Sequence, residues 1–216
     1  MLDEYITSLC ETLYMVGVSA TLSIIFGFVI SLVLVTTGRK DLNENKIIYQ
    51  VLDFIINIFR SLPFIILMII LIPLTRLLVG KSIGTTAAIV PLTIAAIPFA
   101  ARIFEASLNK INHGLVETSK AFGLTTIHIL FKVIVRESIP YLVLDVTLLI
   151  INLIGYSAMA GAIGGRGLGD LAIRYGYQGF NTQVMIITVI MLIMLVQIIQ
   201  LVGNSIYKIL IKKISR

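Results

Sequence analysis

Five long apolar runs constrain the fold of this chain more than any other feature of its sequence. They cover about residues 13–35, 48–72, 83–101, 141–159 and 184–207. A helix needs roughly 20 apolar residues to cross a bilayer, and each run is about that long. Five such spans with short connections use almost all of the 216 residues, which leaves no room for a soluble catalytic domain. We therefore predict an all-α membrane protein with five transmembrane helices in one domain, residues 1–216.

The composition agrees with a membrane protein. Hydrophobic residues make up 58% of the chain and charged residues 13%, whereas soluble domains carry about 25% charged residues. The single cysteine, Cys10, excludes an intrachain disulfide and a cysteine-based metal cluster. A net charge of +6 is compatible with nucleic-acid binding, but in a membrane protein Lys and Arg mainly mark the cytoplasmic loops. We predict no nucleic-acid partner.

The distribution of basic residues predicts the orientation, because cytoplasmic segments retain Lys and Arg. With the N-terminus outside, the cytoplasmic segments hold twelve of the seventeen basic residues, the outer segments hold four, and Arg60 lies within a span. We therefore expect an outer N-terminus, an inner C-terminus and a cytoplasmic segment at about residues 105–139. The outer four are Arg76, Lys81, Arg166 and Arg174; the inner twelve are Arg39, Lys40, Lys46, Arg102, Lys110, Lys120, Lys132, Arg136, Lys208, Lys212, Lys213 and Arg216.

Polar side chains within the second run need an explanation, because an Arg at the bilayer centre costs about 2.5 to 3.5 kcal/mol on insertion scales. Asp53, Asn57 and Arg60 share one helical face, and the run is interrupted at residues 60–63. Asp53 either pairs with Arg60 inside the chain, or the face lines a transport pathway. The sequence leaves both interpretations open.

The cytoplasmic segment is amphipathic, unlike the rest of the chain. Residues 115–122 are expected to form a short helix, with Gly123 as its left-handed terminator and Thr125 capping the next helix. A helix, a sharp turn and a second helix can carry motion from a soluble partner into the membrane. The alternative is a helix that lies on the bilayer surface, but the polar residues at 117–120 would make a poor lipid-facing surface.

The stretch at residues 117–123 resembles the loop by which permeases of ATP-binding-cassette importers contact their ATPase, usually written Glu-Ala-Ala, three residues, then Gly. Two departures are present: Thr118-Ser119 replaces the two alanines, and Val135-Arg136 replaces the usual closing Leu-Pro, with a proline only at Pro140. The resemblance implies the fold of a type I importer permease. It also implies contact with the ATPase through Glu117, Thr118, Ser119, Ala121 and Gly123.

Further blocks, at residues 60–67, 88–93, 155–162 and 174–177, resemble the membrane subunit of methionine importers. This resemblance implies a homodimer in the cell membrane that carries L-methionine by alternating access, with D-methionine left open. It implies two ATPase subunits, an extracytoplasmic methionine-binding protein and surrounding lipid as partners. ATP and Mg²⁺ would be bound by the ATPase, so this subunit is expected to be non-enzymatic and to hold no cofactor.

Five residues are predicted to form the gate or to line the translocation pathway: Arg60, Asn152, Tyr156, Ser157 and Met159. Met159 has a long, flexible, apolar side chain at the end of the fourth run. In a homodimer the two copies of Met159 would meet across the two-fold axis and block the pathway by excluding water. The alternative is that Met159 fills a gap between helices.

A channel or ion-coupled carrier that works without an ATPase is the alternative function. No internal inverted repeat is evident, and Asp53 and Asp145 are the only acids within the runs. A membrane-embedded enzyme is disfavoured because His113 and His128 both fall in the cytoplasmic segment, and no His, Cys or Ser constellation is apparent.

Overall fold

The computed structural model describes residues 2–39 and 42–214, and across these residues the secondary structure is helical, without a strand. Four helices are long and apolar enough to cross a bilayer. They are α1 (Leu2–Gly38), α5 (Thr85–Leu108), the continuous helix from Thr126 to Gly161, and α10 (Thr182–Ile214). Lys40 and Arg216, counted above among the cytoplasmic basic residues, lie outside the described residues.

The second apolar run is broken and does not form one straight span. Helix α2 (Lys46–Ser61) and helix α3 (Phe64–Ile70) meet at an angle of 102°, and α4 (Ile72–Val79) follows. Leu62 is extended at ψ 129°, as expected for a residue that precedes a proline. The sequence predicted the interruption at residues 60–63, but the bend turns α3 away from the direction of α2.

Helices α1 and α5 pack closely because α1 presents a stripe of small residues. The hydroxyls of Ser19 and Ser23 are buried and donate to the carbonyls of Ile89 and Thr93, both at 3.4 Å. A Cβ added at Gly27 would lie 2.6 Å from the Cβ of Ala100. Small residues of this kind let transmembrane helix backbones approach each other.

The main hydrophobic core lies between α1, α5 and the continuous helix from Thr126 to Gly161. Its fully buried members include Met15, Leu92, Leu149 and Leu153. Helix α10 packs on the outside of this core, and many of its apolar side chains are exposed. An exposed apolar face is suited to lipid.

Within the segment predicted to be cytoplasmic, the first helix after α5 is α6 (His113–Ala121), which starts two residues before its predicted position. The next helix starts as α7 (Thr126–Ile129), passes through a π-helical turn (Leu130–Val135) and continues as α8 (Arg136–Gly161). The departure at Val135-Arg136 therefore falls where the π-helical turn gives way to α-helix. Such π-helical turns occur frequently at functional sites.

After α8 the chain forms a glycine-rich turn, the short helix α9 (Gly167–Leu171) and a second π-helical segment (Ala172–Gln178) before it enters α10. Glycine is required here by close packing. A Cβ at Gly161 would lie 2.3 Å from the backbone nitrogen of Asp170, and a Cβ at Gly169 would lie 2.3 Å from the carbonyl oxygen of Ala158. These contacts hold α9 directly against the end of α8.

Candidate functional site

The coupling turn, residues 113–125, is built on a helix end that requires glycine. Asn112 caps the start of helix α6, and its side chain accepts a hydrogen bond from the Gly114 amide at 2.9 Å. At its other end Gly123 has φ +79°, and its amide donates to the Lys120 carbonyl. The Leu124 amide donates to the Ser119 carbonyl. This pair of bonds is a Schellman motif with its glycine in the left-handed position. The predicted terminator role of Gly123 is confirmed.

The predicted capping bond of Thr125 is wrong. Thr125 does occupy the residue before α7 and has extended backbone, but its hydroxyl makes no capping bond to a backbone amide. The hydroxyl instead lies 2.8 Å from Nδ1 of His128.

The exposed surface of the coupling turn carries most of the residues proposed to contact an ATPase. Glu117, Thr118, Ala121 and Gly123 are exposed, whereas Ser119 is buried and donates to the Leu115 carbonyl at 2.7 Å. These positions show which side chains are accessible, and the proposed contact itself remains a prediction.

The sequence interpretation missed the apolar part of this surface. Phe122 is 81% exposed and Ile127 is 70% exposed. Large apolar side chains so exposed on an otherwise polar turn indicate a surface that another protein covers. The position of Phe122, directly before the glycine that ends the helix, was the sequence signal that could have predicted an exposed aromatic ring here.

A second hydrophobic cluster fastens the coupling turn to the membrane helices. Val116 of α6, Ile129 of α7 and Ile134 of the π-helical turn are fully buried together with Val35 of α1 and Leu108 of α5. Because these side chains form one packed unit, a movement of the coupling turn would be passed to the ends of α1 and α5.

A polar contact joins the same elements. Arg39, which follows α1, is buried, and its Nη2 lies 3.2 Å from Nδ1 of His113 at the start of α6. The coupling turn is thus connected to α1 by a polar contact as well as by the cluster.

Three of the five predicted pathway residues line one cavity. Arg60, Asn152 and Tyr156 surround a volume of about 210 Å³, together with Phe64 and Phe99. The rings of Phe64 and Tyr156 stack with centroids 4.6 Å apart and planes 5° apart. The bend between α2 and α3 therefore places an aromatic wall beside the arginine.

The pairing of Asp53 with Arg60, one of the two interpretations of this face, is wrong. The Asp53 carboxylate forms an ion pair with Arg102 of α5 and accepts a hydrogen bond from Asn57 at 3.0 Å. Arg102 also donates to Glu105 at 2.8 Å. Arg60 makes no hydrogen bond or ion pair with the residues that the structure describes.

The other two predicted residues, Ser157 and Met159, lie elsewhere. Ser157 is 2% exposed and donates to the carbonyl of Ile154 at 2.8 Å, so its hydroxyl is occupied within its own helix. Met159 is 45% exposed. Just over half of its surface is therefore covered within this chain, and both the gap-filling role and the meeting with a second copy remain predictions.

Glu11 and Thr12 of α1 hold the turn that follows the predicted gate, and we call them the outer clamp after the side of the membrane on which they are expected. The Gly167 amide donates to Glu11 at 3.0 Å, and the Leu168 amide donates to Thr12 at 2.9 Å. Glu11 also pairs with Arg166 at 3.4 Å, and Arg166 has a left-handed φ of +62°. The clamp supplies the first amides of α9 with acceptors. It was not predicted.

Comparisons with known proteins agree with this architecture. The family described as binding-protein-dependent transport system inner membrane component matches residues 23–216. The probable D-methionine transport system permease protein MetI of Vibrio cholerae is 45% identical over 206 residues, 95% of this chain and 92% of the relative. The methionine import system permease protein MetP of Bacillus subtilis is 40% identical over 212 residues, 98% of this chain and 96% of the relative.

The fold is also that of a solved transporter. An inward-facing crystal structure of the MetNI methionine ABC transporter has a chain that is 42% identical, with a TM-score of 0.92 over 97% of both chains. These matches confirm the predicted all-helical permease fold and the predicted class of protein. The chain belongs to the family of binding-protein-dependent transport system inner membrane components.

Proposed function

We propose that this chain is the permease subunit of a methionine importer, in which two copies form the pathway and two ATPase subunits supply the energy. The observation that carries the proposal is the similarity, over nearly the whole chain, to permeases named for methionine or D-methionine transport. L-methionine is the proposed substrate, and D-methionine is a second candidate because the name of the Vibrio cholerae relative specifies it.

The coupling turn is the proposed contact with the ATPase. It exposes both Glu117, an acid, and the ring of Phe122, so it offers a charge and an apolar anchor. Aromatic anchors of this kind contribute much of the binding energy at protein interfaces. ATP and Mg²⁺ would be bound by the ATPase. The packed cluster around Val116 then transmits the movement of the turn to α1 and α5.

The proposed orientation places the coupling turn in the cytoplasm and the outer clamp on the opposite side. The excess of basic residues near the coupling turn supports this orientation. An extracytoplasmic methionine-binding protein would deliver substrate to the outer side, and lipid would cover the exposed apolar face of α10. Closure of the outer side is assigned to Met159, with Tyr156 and Arg60 lining the pathway beneath it.

Uptake into proteoliposomes tests the proposal. The permease is reconstituted with its ATPase, the binding protein is added outside, and accumulation of radiolabelled L-methionine is measured with and without internal ATP. We expect uptake that requires ATP, the ATPase and the binding protein together. Uptake by the permease alone would identify a channel, and uptake driven by an ion gradient would identify a carrier.

A further inference from the structure

We infer that the Arg60 cavity, lined by Phe59, Arg60, Phe64, Phe99, Asn152 and Tyr156, is a transient binding site for the amino-acid substrate. Arg60 binds the α-carboxylate and the aromatic rings hold the thioether side chain. The identity of the substrate rests on the proposed function, whereas the chemistry of the site follows from the cavity.

Among the residues that the structure describes, none forms an ion pair with the arginine in this cavity. An Arg within an apolar run is costly unless it is paired or faces water, and Arg60 is exposed in this single chain, so its guanidinium is accessible. Asp53, two helical turns away on the same face, already forms an ion pair with Arg102. Arg60 has no ion-pair partner among residues 2–39 and 42–214. A planar guanidinium binds a carboxylate through two parallel hydrogen bonds. An amino-acid carboxylate that enters the cavity would therefore meet an accessible guanidinium that has no ion-pair partner among the described residues.

The position of Arg60 in the last turn of α2 offers a partial explanation without a ligand. The negative end of the helix dipole favours a cation there. This effect amounts to about half an elementary charge, so it does not replace a full counter-ion. Lysine would satisfy the dipole equally well, but only arginine presents the flat two-pronged donor.

The rest of the lining suits the remainder of a methionine molecule. Phe64, Phe99 and Tyr156 give the cavity aromatic walls, and a thioether makes favourable contacts with aromatic rings. A volume of about 210 Å³ is below the roughly 300 to 1,000 Å³ of typical ligand pockets, so the cavity accepts one small molecule.

The site is built for weak binding. Asn152 is the neutral polar side chain that can accept a hydrogen bond from the substrate ammonium, and the lining contains no carboxylate. A cation can also lie over an aromatic face. A site on a transport pathway must release its solute as well as admit it. Binding without a carboxylate partner for the ammonium meets that requirement.

The cavity is also placed where a change of conformation would alter it. Arg60 lies at the end of α2 and Phe64 begins α3, on the two sides of the 102° bend. Any change in that angle moves the guanidinium relative to the aromatic wall. Substrate affinity is therefore linked to the conformation of the broken span.

The test is equilibrium competition on the permease–ATPase complex in lipid nanodiscs without nucleotide. Bound radiolabelled L-methionine is displaced either by L-methionine or by L-methioninol, in which an alcohol replaces the carboxylate. We expect methioninol to compete about tenfold more weakly, which corresponds to about 1.4 kcal/mol. Arg60→Gln should weaken methionine binding about tenfold and abolish the preference for methionine over methioninol, since the charged fork is gone.

Two further variants separate the alternatives. Arg76→Gln removes an exposed arginine of α4 that lies outside the cavity, and it should leave binding unchanged. Arg60→Lys should retain only part of the affinity. If Arg60→Lys behaves like wild type and methioninol competes as well as methionine, Arg60 serves the helix dipole or a lipid phosphate and the inference is wrong.

Other outcomes also overturn the inference. Absence of saturable binding to the wild-type complex would do so, and so would wild-type binding by a folded Arg60→Gln complex, since the binding would then reside on another subunit. Failure of the proposed function looks different. In that case the wild-type complex would not import methionine with its binding protein, whatever residue occupies position 60.

Discussion

The two ends of this molecule are held together by different forces. At the coupling end, large apolar side chains such as Val116, Ile129 and Ile134 are completely buried in one cluster. At the glycine-rich end, residues 158–171, helix α9 is held by backbone contacts at Gly161 and Gly169 and by the hydrogen bonds of the outer clamp.

This difference has a mechanical consequence. Apolar packing is non-directional and resists deformation over the whole cluster, so the coupling end moves as one body. Hydrogen bonds to backbone amides depend steeply on geometry, so the outer clamp is either made or broken. A rigid packed cluster at one end and a set of breakable hydrogen bonds at the other suit a protein whose pathway opens on alternating sides.

The largest expected effect is at the coupling end, from Gly123→Pro. Proline fixes φ near −65° and has no amide hydrogen, whereas Gly123 has φ +79° and donates to Lys120. We expect the permease to insert and dimerise but to lose ATP-dependent methionine uptake in proteoliposomes, because the turn no longer fits its partner.

Gly155→Ala is the matched control, since a Cβ there meets nothing within 4 Å and the residue lies inside α8. A Gly123→Pro complex that imports at the wild-type rate would exclude the turn as the coupling contact.

Glu117→Lys tests the same contact without changing the backbone. It leaves the backbone intact and reverses one exposed charge, so it should impair the contact by repulsion alone.

The next effect is at the glycine-rich end, from Gly169→Ala. The added methyl would lie 2.3 Å from the carbonyl oxygen of Ala158, so α9 must move away from α8. Overpacking of this kind typically costs about 1 to 3 kcal/mol. Denaturation in SDS should show this loss of unfolding free energy, whereas Gly155→Ala should show none. Equal stability of the two variants would mean that the α8–α9 contact is loose.

A smaller effect is expected from Thr12→Ala, which removes the hydroxyl that accepts from the Leu168 amide at 2.9 Å. Loss of a side-chain acceptor at a helix start costs about 1 kcal/mol. Hydrogen exchange at Leu168 should accelerate about fivefold, the factor that corresponds to this energy. Thr21→Ala is the control, because Thr21 donates only to its own helix at Gly17. Unchanged exchange at Leu168 would show that the clamp does not hold α9.

The smallest effect on stability is expected from Met159→Ala. Met159 is 45% exposed, so its loss should cost well under the roughly 2 to 5 kcal/mol of a buried methionine. If the two copies close the outer side, the variant should still raise ATPase activity in the absence of the binding protein. A large loss of stability without a change in this basal activity would assign Met159 to packing between subunits.

Much of the fold was predictable because the signals are local. Four of the apolar runs are continuous in the sequence, and their length alone predicts membrane spans, whereas the second run is broken between α2 and α3. The left-handed conformation of Gly123 follows from a helix that ends at a glycine, and the packing of the Ser19 and Ser23 stripe follows from small residues repeated on one helical face.

The sequence determined by itself the class of protein, the apolar spans and the position of the coupling turn. The tertiary structure decided the partners across helices. Asp53 meets Arg102, 49 positions away, in place of nearby Arg60, and Glu11 reaches the Gly167 amide, 156 positions away. Helical periodicity assigns a side chain to a face of its own helix, but only the packing of that face against another helix selects its partner.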